Sequence, residues 1–133
     1  MRKIVALSKD RHWLDAVQMA AAGLVSVQII ACDDLLLKCL SYLPPVDAQA
    51  LLLVDAISKE NISEVVAGLY QAGWRFIVVV AADPSVKEVY KVLKKSNGYD
   101  YWRKTYVVSE IEETIKKCLD DMTQARAGSG GGK

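Results

Sequence analysis

Histidine appears once in these 133 residues, and so does phenylalanine. With one imidazole, and with Cys32, Cys39 and Cys118 forming no CxxC pair, the sequence offers no metal site of the zinc type. The cysteines lie in apolar surroundings and are expected to be reduced core residues of a cytosolic protein. An excess of one charge is also missing. Lys plus Arg is 17 and Asp plus Glu 16, with the signs interspersed, so no broad field would hold nucleic acid through counterion release. The apolar runs stop far short of the roughly 18 residues of a membrane span. At the start, "MRKIVALSKD" carries an apolar stretch of about five residues against the ~7 to 15 of a secretory core. A cytoplasmic protein that binds neither nucleic acid nor membrane is therefore expected. No glycine-rich phosphate loop follows the first apolar run, which leaves a nucleotide or flavin enzyme without local support.

What is present is a repeat. The runs "KIVAL", "VSVQII", "ALLLV" and "RFIVVV" are short and rich in Val and Ile, and they alternate with segments of helical period. Strands are expected near 3–7, 25–31, 50–54, 75–81 and 99–103, with a helix after each. The second helix has the weakest pattern and ends on Pro44 and Pro45. "NISE" at 61–64, "SVKE" at 85–88 and "SEIE" at 109–112 each put Asn or Ser three residues before Glu, the spacing of a capping box. Asp10 is expected to cap the first helix without that Glu. Ile111, Ile115, Cys118, Leu119 and Met122 form one apolar stripe on the last helix. Gly23, Gly73 and Gly98 fall where helices should stop. The expected fold is α/β, a doubly wound three-layer sandwich with a five-stranded parallel sheet in the flavodoxin-like order 2-1-3-4-5. One domain should span residues 1–124, followed by a disordered Gly/Ser-rich tail over 125–133.

In such folds ligands gather beyond the carboxyl ends of the strands. Those ends carry Ser8, Lys9 and Asp10 after the first strand, Asp55 after the third, Ala81, Ala82 and Asp83 after the fourth, and Lys104 after the fifth. The order and spacing, from "KIVALS" through "LLLVD" and "IVVVAAD" to "DYWRK", resemble a response-regulator receiver domain of the CheY type. The resemblance covers nearly the whole chain up to about residue 124. It implies that Asp55 matches the phosphoacceptor, Lys104 the lysine that pairs with the phosphoryl group, and Tyr101 the aromatic used as a rotameric switch. It also exposes departures. The acidic pair that holds Mg²⁺ in the family is replaced by Ser8 and Lys9, the Thr or Ser after the fourth strand by Ala81, and the proline after the lysine by Thr105.

Phosphoryl transfer needs a divalent ion held by hard carboxylate oxygens, and Lys9 supplies none. An ammonium there would repel Mg²⁺ and is expected to pair with Asp55 in its place. Asp10 lies one position further on and could reach a metal through water, although an N-cap role accounts for it without chemistry. His12 is read as a surface residue, Trp13, Trp74 and Trp102 as core or interface anchors, and Lys87, Lys91, Lys94 and Lys95 as one solvated stripe.

The reading that follows is a degenerate receiver, a pseudo-receiver that is not an enzyme, needs no cofactor or metal, and acts through protein contacts. The alternative is a response regulator still phosphorylated on Asp55 with altered metal binding. By the resemblance, a protein partner or a second copy would dock on the face of the fourth helix, fifth strand and fifth helix. That face gathers Tyr90, Lys91, Lys94, Tyr101 and Arg103 with Glu113, Lys116 and Asp120.

Overall fold

Runs of β-branched and leucine residues that are apolar at every position suit strands covered on both faces, because successive side chains point to opposite sides. A computed structural model bears this out. It describes residues 3–31, 43–55, 62–82, 94 and 98–130, with 124–130 as backbone only. The elements are β1 (Lys3–Ser8), α1 (Arg11–Ala21), β2 (Ser26–Ala31), β3 (Leu51–Asp55), α2 (Ile62–Ala72), β4 (Phe76–Ala81), β5 (Asp100–Arg103) and α3 (Val108–Gly130). The five strands form one sheet in the order β2-β1-β3-β4-β5, and every pairing is parallel. This is the doubly wound α/β arrangement expected from the sequence. Of the stretches read as the second and fourth helices, only 43–45, which are not helical, and Lys94 fall among the described residues.

Alternation along the three central strands divides the core in two. Ile4, Ala6, Leu51, Leu53, Val78 and Val80 face α1 and α3, where Trp13, Leu14, Val17, Ile111, Ile115, Cys118 and Met122 complete the packing. Val5, Leu7, Leu52, Val54, Ile77 and Val79 face the other way, against Val65, Val66 and Leu69 of α2 and the buried Trp74. Each fully buried Val, Leu or Ile contributes about 1.5–3 kcal/mol relative to exposure. The stripe expected on the last helix is therefore the one that packs.

Local signals explain most of the boundaries. Asp10 is extended and its Oδ1 accepts from Trp13 N at 3.2 Å, so it caps α1 as expected. α2 begins one residue after Asn61, which itself lies outside the described residues. It ends before Gly73, whose φ of 121° only glycine adopts without strain, and Trp74 N closes the turn on Leu69 O at 3.1 Å.

α3 departs from expectation at both ends. It begins at Val108, and Ile111 N bonds Val107 O at 3.1 Å, so Ser109 sits inside the first turn and is not the cap. Thr105 Oγ1 accepts from Val107 N just upstream. At the other end the backbone stays helical to Gly130, past Ala125, where the tail was expected to begin. The segment "TQARA" is made mostly of good helix formers, and a ladder already nucleated upstream extends at one bond per residue.

Candidate functional site

Period-two alternation decides what meets at the carboxyl edge. Ser8 follows Ile4 and Ala6, and Asp55 follows Leu51 and Leu53, so both side chains lie on the α1/α3 side of the sheet. Leu7 pairs with Val54, and one step further along both strands brings Ser8 to Asp55. Both are buried. Ser8 Oγ donates to Asp55 Oδ2 at 2.6 Å and accepts from Asp10 N at 2.9 Å. Ser8 thus ties the β3 carboxylate to the turn that starts α1.

Lys104 arrives from the far side of the sheet. Ala81 pairs with Arg103, and Lys104 N then bonds Ala81 O at 2.8 Å, which aims the following side chain back across the edge. Lys104 Nζ lies 2.9 Å from Asp55 Oδ2 and 2.8 Å from Asp10 Oδ2, and only 4% of its side chain is exposed. Tyr106 OH also donates to Asp10 Oδ2, and the lysine Nζ stands 5.6 Å from the Tyr106 ring centroid. One ammonium therefore serves two carboxylates, one at the end of β3 and one at the cap of α1.

The electrostatics follow from burial and from these bonds. Burial would raise the Asp10 carboxyl, but hydrogen bonds from Lys104, Tyr106 and Trp13 N, with the charge on Lys104, outweigh it and hold the group at about 2. Asp55 goes the other way. Its burial pushes the carboxyl up, more than Ser8 and Lys104 pull it down, and the Asp10 charge adds to the rise. Burial works against the charge on Lys104 too, yet its bonds to Asp10 and Asp55 keep the ammonium above its ordinary value. The lysine is the firmly charged member, and its charge is shared between an exposed-side acid that stays ionised and a deeper one that resists ionisation. Asp55 Oδ1 is buried and has no hydrogen-bond partner among the described residues.

A divalent ion of the receiver kind fits this donor set poorly. Mg²⁺ requires near-octahedral oxygens at about 2.0–2.1 Å. The two Oδ2 atoms that could begin such a shell already converge on an ammonium, and Asp10 Oδ1 is taken by Trp13 N. Among the described residues no third His, Cys, Asp or Glu joins them.

Sequence reasoning located Asp55 and Lys104 correctly at one edge. It erred on Lys9, which is exposed, while the cation on Asp55 is Lys104. The reason lies in strand geometry, since neighbours along a strand point opposite ways and Ser8 takes the inward place. Tyr101 is half-buried on β5, with its backbone N bonded to Asp100 Oδ1. Ala81 supplies a carbonyl rather than a side-chain group. The Tyr106 contact was missed; its only sequence signal is an aromatic two residues after Lys104. His12 is exposed, Trp13 and Trp74 are core residues, and Trp102 packs partly buried against the core.

On the face proposed for partners, Lys94, Arg103, Glu113, Lys116 and Asp120 are exposed, and Lys116 pairs loosely with Glu112 at 3.9 Å. Tyr90 and Lys91 lie outside the described residues. A cavity of about 590 Å³ opens there, its lining including Tyr101, Arg103, Lys104, Glu110 and Thr114. Among the described residues no helix is long and apolar enough to cross a membrane.

No family model and no curated protein matches the chain. Solved structures do. A CheY-like response regulator receiver domain protein from Methanospirillum hungatei JF-1 superposes with a TM-score of 0.71 at 18% identity, covering 94% of this chain and 98% of that one. A two-component response regulator from Clostridium difficile gives 0.71 at 15% identity, over 92% and 98%. The signal receiver domain of an HD domain-containing protein from Pseudomonas fluorescens Pf-5 gives 0.67 at 18%, over 95% and 92%. The chain has the fold of a CheY-like receiver domain.

Proposed function

We propose that this chain is a signalling module on the receiver fold that works through protein contacts, and that Asp55 is not phosphorylated by the usual Mg²⁺-dependent route. The observation that carries the reading is Lys104 Nζ, within 2.9 Å of both Asp55 and Asp10. A phosphoryl group transferred to Asp55 needs a metal to neutralise its developing charge. Among the described residues, the one other acid at this edge, Asp10, is bonded to Lys104, Tyr106 and Trp13 N, and Ser8 offers a hydroxyl where the family pattern has a carboxylate. Receiver domains of response regulators are among the solved structures similar to this chain, which supports a role in signalling rather than catalysis. The partner, a protein or a second copy, would be taken through the exposed mix of Arg103, Lys94, Glu113 and Lys116 beside Tyr101. With no phosphoryl trigger, binding is constitutive or set by the abundance of the partner.

The experiment is incubation with Mg²⁺ and acetyl phosphate followed by intact mass measurement. No gain is expected. A gain of one phosphoryl group that disappears in Asp55→Asn overturns the reading in favour of the second one, a response regulator still phosphorylated on Asp55. That second reading has its own support in Asp55 Oδ1, which has no partner among the described residues and keeps lone pairs to offer an ion.

A further inference from the structure

β5 is an edge strand, and the described walls of the cavity beside it come from β5, the start of α3 and the turn between them. Tyr101 and Arg103, two apart, reach it from one side of the strand and Trp102 from the other, while Glu110 and Thr114 stand across from them on the helix. At about 590 Å³ the cavity lies within the roughly 300–1,000 Å³ of small-molecule sites. Charges of both signs line it. Arg103 and Glu110 are both exposed, and among the described residues neither side chain forms an ion pair with the other or with a third group. Lys104 does not serve Glu110 either, since its ammonium is spent on Asp10 and Asp55.

The two hydroxyls of the cavity are sorted in the same sense. Thr105 Oγ1 accepts from Val107 N at 3.2 Å, which leaves its own proton to donate, and it stands two residues after Arg103. Thr114 Oγ1 gives its proton to Glu110 O at 2.9 Å, which leaves it able only to accept, and it stands one turn after Glu110. Donors therefore gather at the strand end and acceptors on the helix. A side chain of a protein partner brings one charge, whereas two opposite charges held apart, each beside a hydroxyl of matching polarity, suit both signs on one small molecule.

We propose that this cavity is a binding site for a free α-amino acid with an apolar side chain, held as the zwitterion with its carboxylate on Arg103 and its ammonium on Glu110. Thr105 donates a second bond to the carboxylate and Thr114 accepts one from the ammonium, while Tyr101 and Trp102 give the side chain its apolar walls. The proposal goes beyond the functional reading above and does not depend on it, because neither charge takes part in the Asp55 cluster.

The test is a set of two-dimensional amide NMR titrations of the whole chain with L-phenylalanine and L-leucine. Saturable shifts concentrated in residues 101–105 and 110–114 are expected. N-acetyl-L-phenylalanine keeps the carboxylate and loses the ammonium, L-phenylalaninamide does the reverse, and each should bind roughly tenfold more weakly or worse, the loss of one charge-assisted contact. Arg103→Gln should weaken L-phenylalanine by a similar factor and leave L-phenylalaninamide as it was. Glu110→Gln should also weaken L-phenylalanine, with N-acetyl-L-phenylalanine as the ligand that is unaffected. Both variants are on exposed positions, and circular dichroism reports that they fold. The proposal is overturned if neither amino acid shifts these amides, if either derivative binds as tightly as its parent, or if the losses in the two variants do not follow the charge that the ligand carries.

Discussion

Ser8 Oγ donates a 2.6 Å hydrogen bond to Asp55 Oδ2, across 47 positions of sequence, in a pocket closed to solvent. The same oxygen accepts from Asp10 N, so one hydroxyl joins the end of β3 to the start of α1. Ser8→Ala leaves Asp55 poorer by a donor and Asp10 N without its acceptor. A loss of about 1–3 kcal/mol is expected in urea unfolding, with the Asp55 carboxyl driven further up. A midpoint unchanged from wild type would show that the bond is incidental.

Removing the shared cation should cost more. Lys104→Met keeps much of the volume but leaves two carboxylates facing each other without a counter-charge, for which about 3–5 kcal/mol is typical. Asp55→Asn added to it removes the deeper of those charges and should recover part of the loss. The pair of values, set against each single variant in a double-mutant cycle, measures the coupling. Additive losses would mean that Lys104 and Asp55 do not act on one another.

Acid should affect the two aspartates in opposite senses. Asp10, ionised down to about 2 in the fold against 3.8 for the free side chain, contributes stability that is present above 3.8 and is lost as pH falls toward 2. Asp55, raised above 3.8, contributes stability that is present below 3.8 and is lost as pH rises through its higher value. Unfolding midpoints followed from neutral pH down to pH 2 should therefore show Asp55→Asn flattening the upper part of the curve and Asp10→Asn the lower. Identical curves for the two variants contradict the assignment.

Gly73→Ala is expected to destabilise the domain by about 1–2 kcal/mol through its left-handed backbone alone. An added Cβ would also stand 2.8 Å from Val46 Cγ1, so the segment before β3 must yield as well. Gly23→Ala, where a Cβ meets nothing within 4 Å, is the control and should be close to neutral. Thermal melts of both variants make the comparison.

Charge reversal at Lys94 or Arg103 should weaken self-association or partner capture while circular dichroism stays that of the wild type. Sedimentation and pull-down carry the measurement. Unchanged binding in these variants, together with loss of binding on substitutions around the first helix near Trp13, would move the output surface to the other side of the molecule.

Much of this was legible in the sequence because two periods announce it. Runs such as "LLLV" and "IVVV", short and rich in branched residues, read as strands buried on both faces, and the stripe Ile111, Ile115, Cys118, Met122 reads as a helix on a core, as both are. Asp55 and Lys104 were placed by the strands they end. Lys9 misled because charge was weighed without the side on which a strand-end residue projects. The Tyr106 bond to Asp10 spans 96 positions and depends on the meeting of a loop with a helix cap, which no local pattern encodes. The last helix runs on to Gly130, past the point where composition turns to glycine and serine, because the ladder feeding into it is continuous.

The order of strands also sets an order of opening. β1, β3 and β4 are flanked on both sides and buried throughout their middles, whereas β5 is a four-residue edge strand with half-exposed side chains. Amide protons at the centre should thus exchange with solvent only through global unfolding, and those of β5 through much smaller fluctuations. Asp55 and Ser8 end the slow strands, while Lys104 follows the fast one. When the edge frays, the acid stays where it is and the cation leaves with the strand that carries it, so the charge balance of the cluster is renewed on the timescale of a single short strand.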